Sequence, residues 1–127
     1  MKSLDLNIRL ENAGKDYSLI DLTGFLDAHT VRSFEERLDE ILESGHKRLA
    51  INLENLKYIS SAGIGALMGV AHRLRGAGGD IVLLRPNQKV FKILDLLGFT
   101  KIFNIAQDED EISQFFTTGS LDKEKNV

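Results

Sequence analysis

Two adjacent serines and two glycines in residues 58–65, Tyr-Ile-Ser-Ser-Ala-Gly-Ile-Gly, form the stretch with the clearest potential for chemistry. Ser61 stands immediately before an apolar pattern of helical spacing, where a serine oxygen can accept a backbone N–H bond and cap the helix. The helix dipole would also favour a phosphate on this hydroxyl. Gly63 and Gly65 each cost roughly 1 kcal/mol relative to alanine in a helix, which suggests close approach to the backbone. Spacing alone nevertheless favours a simple helix cap, with glycines for close helix–sheet packing.

The same glycines allow a second interpretation, a loosened dinucleotide-binding loop of the form Gly63-x-Gly65-x-x-x-Gly69. The fingerprint of such loops follows a strand tightly, and an acidic residue lies near the end of the next strand. Here residues 54–59 separate the preceding strand from the glycines, and the next strand ends at residues 84–85 without an acid. A nucleotide-binding enzyme is therefore the disfavoured alternative, and we expect no cofactor.

Asp27, His29 and Thr30 precede the first long helical pattern. Their simplest role is structural, because Thr30 or Asp27 can hold the start of a helix. An acid–base role for Asp27 and His29 would lack a nucleophile of recognisable geometry. His46 and His72 are isolated in the sequence, and the chain contains no cysteine. We therefore expect no metal site and no catalytic residues.

The bulk composition is typical of one soluble domain. The chain has 127 residues, of which 43% are hydrophobic and 28% charged. Its net charge of −3 argues against direct nucleic-acid binding, which needs a concentrated basic surface. No signal-peptide pattern opens the sequence, and the longest apolar stretch, residues 62–71, is too short and glycine-rich to cross a bilayer. We expect a cytoplasmic protein without membrane insertion.

Hydrophobic periodicity predicts an α/β fold with a mixed sheet of about five strands and about four helices, opening with a β-hairpin. The predicted strands cover residues 4–10, 17–23, 48–53, 81–84 and 101–105. Helices are predicted from residue 31 to about 43, from 61 to about 76, over 87–97 and over 108–116, with loops at 24–30 and 54–60. Met68 falls on the predicted core stripe of the second helix. We expect one domain over residues 1–117 and a flexible polar tail over 118–127.

Three segments, in this order and spacing, resemble the STAS domains of bacterial anti-sigma factor antagonists. Residues 24–30, Gly-Phe-Leu-Asp-Ala-His-Thr, are similar to the family's GxLD turn before its first helix. Residues 58–67 are similar to the D-S-S/T-G-L-G segment, and residues 78–99 are similar to a strand and helix that end in LLGF. The resemblance covers residues 4–116 and implies a STAS-like fold.

When the two glycines of this segment are aligned with those of the family motif, the resemblance places Ser61 at the family's phosphorylated serine. It implies an unmodified protein that binds an anti-sigma factor with serine kinase activity, is phosphorylated by it, and is restored by a serine phosphatase. The chain departs from the family pattern at Ser60, where an aspartate is usual, and at Ala62, where serine or threonine is usual. Ser60 is thus an alternative acceptor, and Asp27 supplies the remaining local negative charge.

The resemblance also implies a partner-binding surface and a monomer. The residues expected to form that surface are Asp27, His29, Ser60, Ser61, Ala62, Gly63 and Gly65. Added phosphate charge at Ser61 would oppose a partner that accepts the neutral hydroxyl. A STAS subunit of another regulatory or transporter assembly is the alternative function.

Overall fold

The structure, a computed structural model, describes residues 6–11 and 16–116. Strands and helices alternate along most of this part of the chain. The strands are β1 Leu6–Glu11, β2 Ser18–Leu26, β3 Arg48–Asn52, β4 Leu56–Ile59, β5 Asp80–Leu84 and β6 Asn104–Ala106. The helices are α1 Val31–Glu43, α2 Ser61–Gly76, α3 Gln88–Leu96 and the short α4 Ile112–Gln114, which follows a 3-10 turn at Glu109–Glu111.

The six strands form one mixed sheet in the order β1-β2-β3-β5-β6, with β4 paired to the far end of β2. β1 and β2 are antiparallel, and the other strand pairs are parallel. β2 is nine residues long, so residues 18–21 pair with β3 and residues 24–26 pair with β4. The predicted mixed α/β fold and opening hairpin are confirmed. The carboxyl ends of β2 and β4 lie at the same edge of the sheet because these strands are parallel.

Side chains alternate between the two faces of the sheet and form two hydrophobic clusters. The larger cluster includes buried residues of α1, α2 and α3; Phe34, Leu38 and Ile41 of α1 recur in it at helical spacing. The smaller cluster lies on the other face, where Phe116 packs on Tyr17 with ring centroids 5.9 Å apart. β5 is buried along its whole length, as expected for a parallel strand covered on both faces.

Two glycines lie just after the ends of helices. Gly45 has a φ of +99° just after α1, and Gly98 has a φ of +82° just after α3. These are left-handed conformations that glycine adopts without steric cost, and they turn the chain out of the helix. Within residues 6–11 and 16–116, no helix combines the length and apolar character needed to cross a bilayer.

The structure differs from the predictions in its local elements. The sheet has six strands instead of about five, because β4 lies in the predicted loop at 54–60. β2 continues to Leu26, well into the predicted loop at 24–30. The helix predicted over 108–116 is a 3-10 turn followed by the one turn of α4. The predicted tail, residues 118–127, lies outside the described residues, and the boundary of the domain at residue 117 stays a prediction.

Candidate functional site at the start of α2

The start of α2 gives its two neighbouring serines different roles. Ser60 is the capping residue: its backbone is extended, with φ −98° and ψ 174°, and its Oγ accepts a hydrogen bond from the Gly63 N–H at 3.2 Å. Ser61 is the first helical residue, and it is exposed. The prediction that Ser61 caps the helix is therefore wrong by one residue. Either serine fits the capping pattern in sequence, and only the backbone angles distinguish them.

Gly63 allows α2 to approach β2 more closely than a residue with a Cβ would permit. A Cβ at this position would lie 2.7 Å from the carbonyl oxygen of Leu26, 2.8 Å from its Cγ and 3.0 Å from Cγ1 of Ile59. The N–H of Ser60 donates to the same Leu26 carbonyl at 2.9 Å. Helix–sheet packing therefore accounts for Gly63. The space beside this glycine is filled by protein, which removes the main support for the dinucleotide loop.

Gly65 has no comparable packing role. It is exposed, and a Cβ built on it would meet nothing within 4 Å. The same is true of Gly69, one turn further along α2. Glycine costs about 1 kcal/mol relative to alanine at an open helical position, so packing within the described residues does not explain either glycine. Ala62 is also exposed, so the outer face of the first turns of α2 has only small side chains or none, and the helix backbone is accessible there.

The exposure of two apolar side chains was not predicted. Met68 is 37% exposed, so its assignment to the core is wrong. The buried stripe of α2 includes Val70 as well as Ile64 and Leu67, which turns Met68 outward. Tyr58 of β4 is 39% exposed, and no sequence signal marked it, because its strand was read as a loop.

The loop between β2 and α1 is held by hydrogen bonds around Thr30 and Asp27. The Thr30 hydroxyl donates to the Phe25 carbonyl at 2.7 Å and accepts the Asp27 N–H at 3.0 Å. Asp27 Oδ1 accepts the N–H of His29 at 2.9 Å, and the Asp27 carbonyl accepts the N–H of Val31 at 2.8 Å. Thr30 takes the cap position of α1 but makes no side-chain cap bond. The side-chain cap predicted for the start of α1 is therefore not formed by Thr30. Instead, these hydrogen bonds fix Asp27 within the loop, and His29 is exposed.

β2 and β4 bring this loop and the serine pair together. Leu26 and Ile59 are partners in the parallel ladder, so Asp27 and Ser60 each follow directly after a paired residue. Ser61 is the next residue along. The structure thus gathers the predicted loop and the predicted phosphorylation segment at one edge of the sheet, although Asp27 and Ser60 are 33 residues apart in sequence.

The other histidines lie outside this site. His46 is not isolated, because its Nδ1 is 2.6 Å from the Oγ of Ser18, at the opposite edge of the sheet. His72 is exposed. Within the described part of the chain, no three histidine, aspartate or glutamate side chains are grouped so that they could hold a metal ion.

Comparison with known proteins gives consistent matches. A family profile of the STAS domain matches residues 8–112. The anti-sigma F factor antagonist of Paenibacillus polymyxa is 27% identical over 107 residues, which cover 84% of this chain and 91% of that protein. The anti-sigma factor antagonist SpoIIAA in its unphosphorylated form superimposes with a TM-score of 0.70 at 23% identity, covering 95% of this chain and 98% of that one. The Bacillus cell fate determinant SpoIIAA in its phosphorylated form gives a TM-score of 0.64 at 25% identity, covering 85% and 98%.

Proposed function

The chain belongs to the STAS domain family, and we propose that it is an anti-sigma factor antagonist whose binding is switched off by phosphorylation of Ser61. The family named from the three sequence motifs is thereby confirmed. In the proposed cycle, the unmodified protein binds an anti-sigma factor with serine kinase activity. That kinase phosphorylates Ser61, the complex separates, and a serine phosphatase restores binding. The protein then acts as a regulated monomeric binding partner in the cytoplasm, without a cofactor or a catalytic role.

The observation that carries this proposal is the position of Ser61 on α2. Its side chain is exposed at the first helical residue, so a kinase can reach it, and Ser60 supplies the cap independently. A phosphate at this position faces the positive end of the helix dipole and is stabilised by it. Phosphorylation therefore changes the charge of the surface without a cost to the fold.

Ser60 is a poorer phosphate acceptor than Ser61, because its hydroxyl caps the helix. Its Oγ accepts the Gly63 N–H and its side chain is half-buried, so modification would disturb the cap. The family's usual aspartate at this position and the serine found here are both good capping residues. The departure from the family pattern thus keeps the cap and removes one negative charge. Asp27 remains as the carboxylate that follows the neighbouring strand.

The exposed face of α2 supplies a contact surface next to Ser61. Ala62 and Gly65 leave the helix backbone open, and Met68 offers partly exposed apolar area beside it. A partner that packs against this face would lie within reach of the Ser61 hydroxyl. A phosphate adds about −1.5 to −2 charges there at neutral pH. Each ~1.4 kcal/mol of repulsion lowers the affinity tenfold, so release needs no rearrangement of the fold.

Phosphosite mapping tests the proposal directly. The wild-type protein, Ser61→Ala and Ser60→Ala are incubated with ATP and the serine kinase that the wild-type protein retains. Mass spectrometry then counts and locates the phosphate. We expect one phosphate on the wild type and on Ser60→Ala, and none on Ser61→Ala. Phosphate on Ser60 in the wild type, or undiminished labelling of Ser61→Ala, would refute the assignment. A wild-type protein that retains a non-kinase assembly instead would favour the other STAS function.

A further inference from the structure

A second exposed surface lies at the far end of α3 and is not used by the proposed switch. Leu96, Leu97 and Ile102 are 76%, 55% and 40% exposed. With Phe91, they account for four of the six large hydrophobic side chains that are exposed in the described part of the chain. We call residues 96–102 the α3 tip. So much exposed apolar surface within one short, continuous segment is unusual and indicates an interaction surface.

The α3 tip is an exposed corner held to the domain. α3 ends at Leu96, Gly98 turns the chain, and a 3-10 turn follows at Phe99–Lys101. The Gly98 N–H donates to the Asp95 carbonyl at 3.0 Å. Phe99 packs on Phe103 with ring centroids 6.3 Å apart, which anchors the corner to the core. The exposed leucines therefore project from a fixed base.

Two lysines lie in or beside the tip. Lys92 precedes Leu96 by four residues, so the two share one exposed face of α3. Lys101 is exposed within the tip itself. Residues 92–102 contain these two lysines and a single acid, Asp95, although the whole chain carries a net charge of −3. Lys92 and Lys101 thus place positive charge beside the protruding apolar side chains.

Hydrogen bonds connect the tip to further cations along the same edge of the sheet. Arg75 donates from Nη2 to the Ile102 carbonyl at 3.3 Å and from Nε to Asp80 Oδ1 at 2.9 Å. The Asp80 N–H in turn donates to the carbonyl of residue 47 at 3.1 Å. Lys47 and Arg48 are exposed there, and so are two acids, Glu43 at the end of α1 and Asp16 just before β2. Exposed cations therefore continue from the tip past the starts of β5 and β3, with acids between them.

We propose that the α3 tip binds the surface of an anionic lipid membrane. Exposed leucine and isoleucine side chains enter the interfacial region of a bilayer, while lysines beside them attract anionic headgroups. Leu96 is exposed over three quarters of its surface, which suits insertion between headgroups better than a fit into a protein partner. In this proposal, the folded domain docks reversibly on the membrane surface through the side chains of the tip.

This docking leaves the phosphorylation site accessible. α2 begins at Ser61 and ends at Gly76, close to Arg75 and the tip. A helix of 16 residues is about 24 Å long. Ser61 therefore lies at the opposite edge of the sheet, and lipid binding at the tip does not block a protein partner there. The inference depends on the tip alone and stands whether or not Ser61 is phosphorylated.

Vesicle flotation tests the proposal with the full-length protein. We expect co-flotation with phosphatidylcholine vesicles that contain about one third phosphatidylglycerol, and little with phosphatidylcholine alone. Raising the salt should weaken it, because surface charges are screened. The double variants Leu96→Ser/Leu97→Ser and Lys92→Glu/Lys101→Glu should each lower the partition coefficient at least about tenfold, since one lysine contributes roughly fivefold. Met68→Ser and Lys57→Glu, away from the tip, are the matched controls and should bind like the wild type.

A positional probe distinguishes lipid contact from other effects. The chain has no cysteine, so Leu96→Cys carries a single environment-sensitive label, and Glu54→Cys carries it at the opposite edge of the sheet. Anionic vesicles should shift the emission of the label at position 96 to shorter wavelength and leave the label at position 54 unchanged. Wild-type protein that ignores anionic vesicles, or tip variants that bind as well as the controls, would overturn the proposal. Protection of the tip by an acidic protein without vesicle binding would overturn it as well.

Discussion

Replacing each of two glycines on α2 by alanine should change stability in opposite directions. At Gly63 the added methyl carbon would lie 2.7 Å from the Leu26 carbonyl oxygen and 2.8 Å from the fully buried Leu26 Cγ. Neither atom can move away cheaply, because the first belongs to the sheet backbone and the second to the core. Overpacking of this kind costs about 1–3 kcal/mol, and the better helix propensity of alanine returns up to about 1 kcal/mol.

At Gly65 the added methyl carbon meets nothing within 4 Å, so only the propensity gain remains. We expect Gly65→Ala to raise the free energy of unfolding by up to about 1 kcal/mol and Gly63→Ala to lower it by about 1–2 kcal/mol. Urea unfolding followed by circular dichroism measures both, provided that the denaturant slope is unchanged. In thermal unfolding, 1 kcal/mol corresponds to a shift of about 3–5 °C for a chain of this size.

The same pair separates folding from binding. If a partner packs on the outer face of α2, the methyl group of Gly65→Ala blocks its approach and should weaken binding about tenfold while the domain becomes more stable. We assign a close packing contact to Gly63 and none to Gly65. A Gly65→Ala variant less stable than the wild type, or a Gly63→Ala variant as stable as the wild type, would refute this assignment. A stabilised Gly65→Ala with unchanged affinity would place the partner elsewhere.

Three further substitutions test other parts of the structure by urea unfolding. Ser60→Ala should cost about 1 kcal/mol as the lost cap, and Ser61→Ala less than about 0.5 kcal/mol; equal losses would contradict the capping assignment. Asp80→Ala should cost about 2–3 kcal/mol, because it removes the buried carboxylate that accepts hydrogen bonds from Arg75, Asn104 and the Ile81 N–H; a neutral result would contradict that pairing. Asn87→Ala should cost about 2–3 kcal/mol, since its Oδ1 caps α3 and the two hydrogens of its Nδ2 are shared among three carbonyls of the β3–β4 segment; a loss below about 1 kcal/mol would contradict this role.

The sequence predicts the elements whose periodicity matches their burial. In α1, buried residues recur at three- and four-residue intervals on one face, and in β1 apolar and polar residues alternate, so both patterns were recognisable. β4 was missed because its four residues expose Lys57 and Tyr58 in succession, which breaks the alternation of a strand. What makes it a strand is its pairing with the extended end of β2, a long-range contact that no local pattern encodes.

At the site, the sequence predicts the segment but not the role of each residue within it. Ser60 and Ser61 are equivalent as capping candidates until the backbone angles are known. Gly63 and Gly65 look alike in sequence and differ only in what lies beside them, which is Leu26 for the first and open space for the second. Met68 lies on the apolar side of the helical pattern, and its exposure follows from how α2 is rotated against the sheet.

The central claim is that charge at Ser61 controls partner binding. The most direct measurement is affinity capture from a lysate of the source organism, with folded Ser61→Ala and Ser61→Glu proteins as paired baits, followed by titration of the retained partner against both. We predict that Ser61→Ala retains an anti-sigma factor with serine kinase activity and that Ser61→Glu binds it at least about tenfold more weakly, a difference of ~1.4 kcal/mol. Equal retention of one partner by both baits, or retention of none, would contradict the switch and leave Ser61 as an ordinary exposed helical residue.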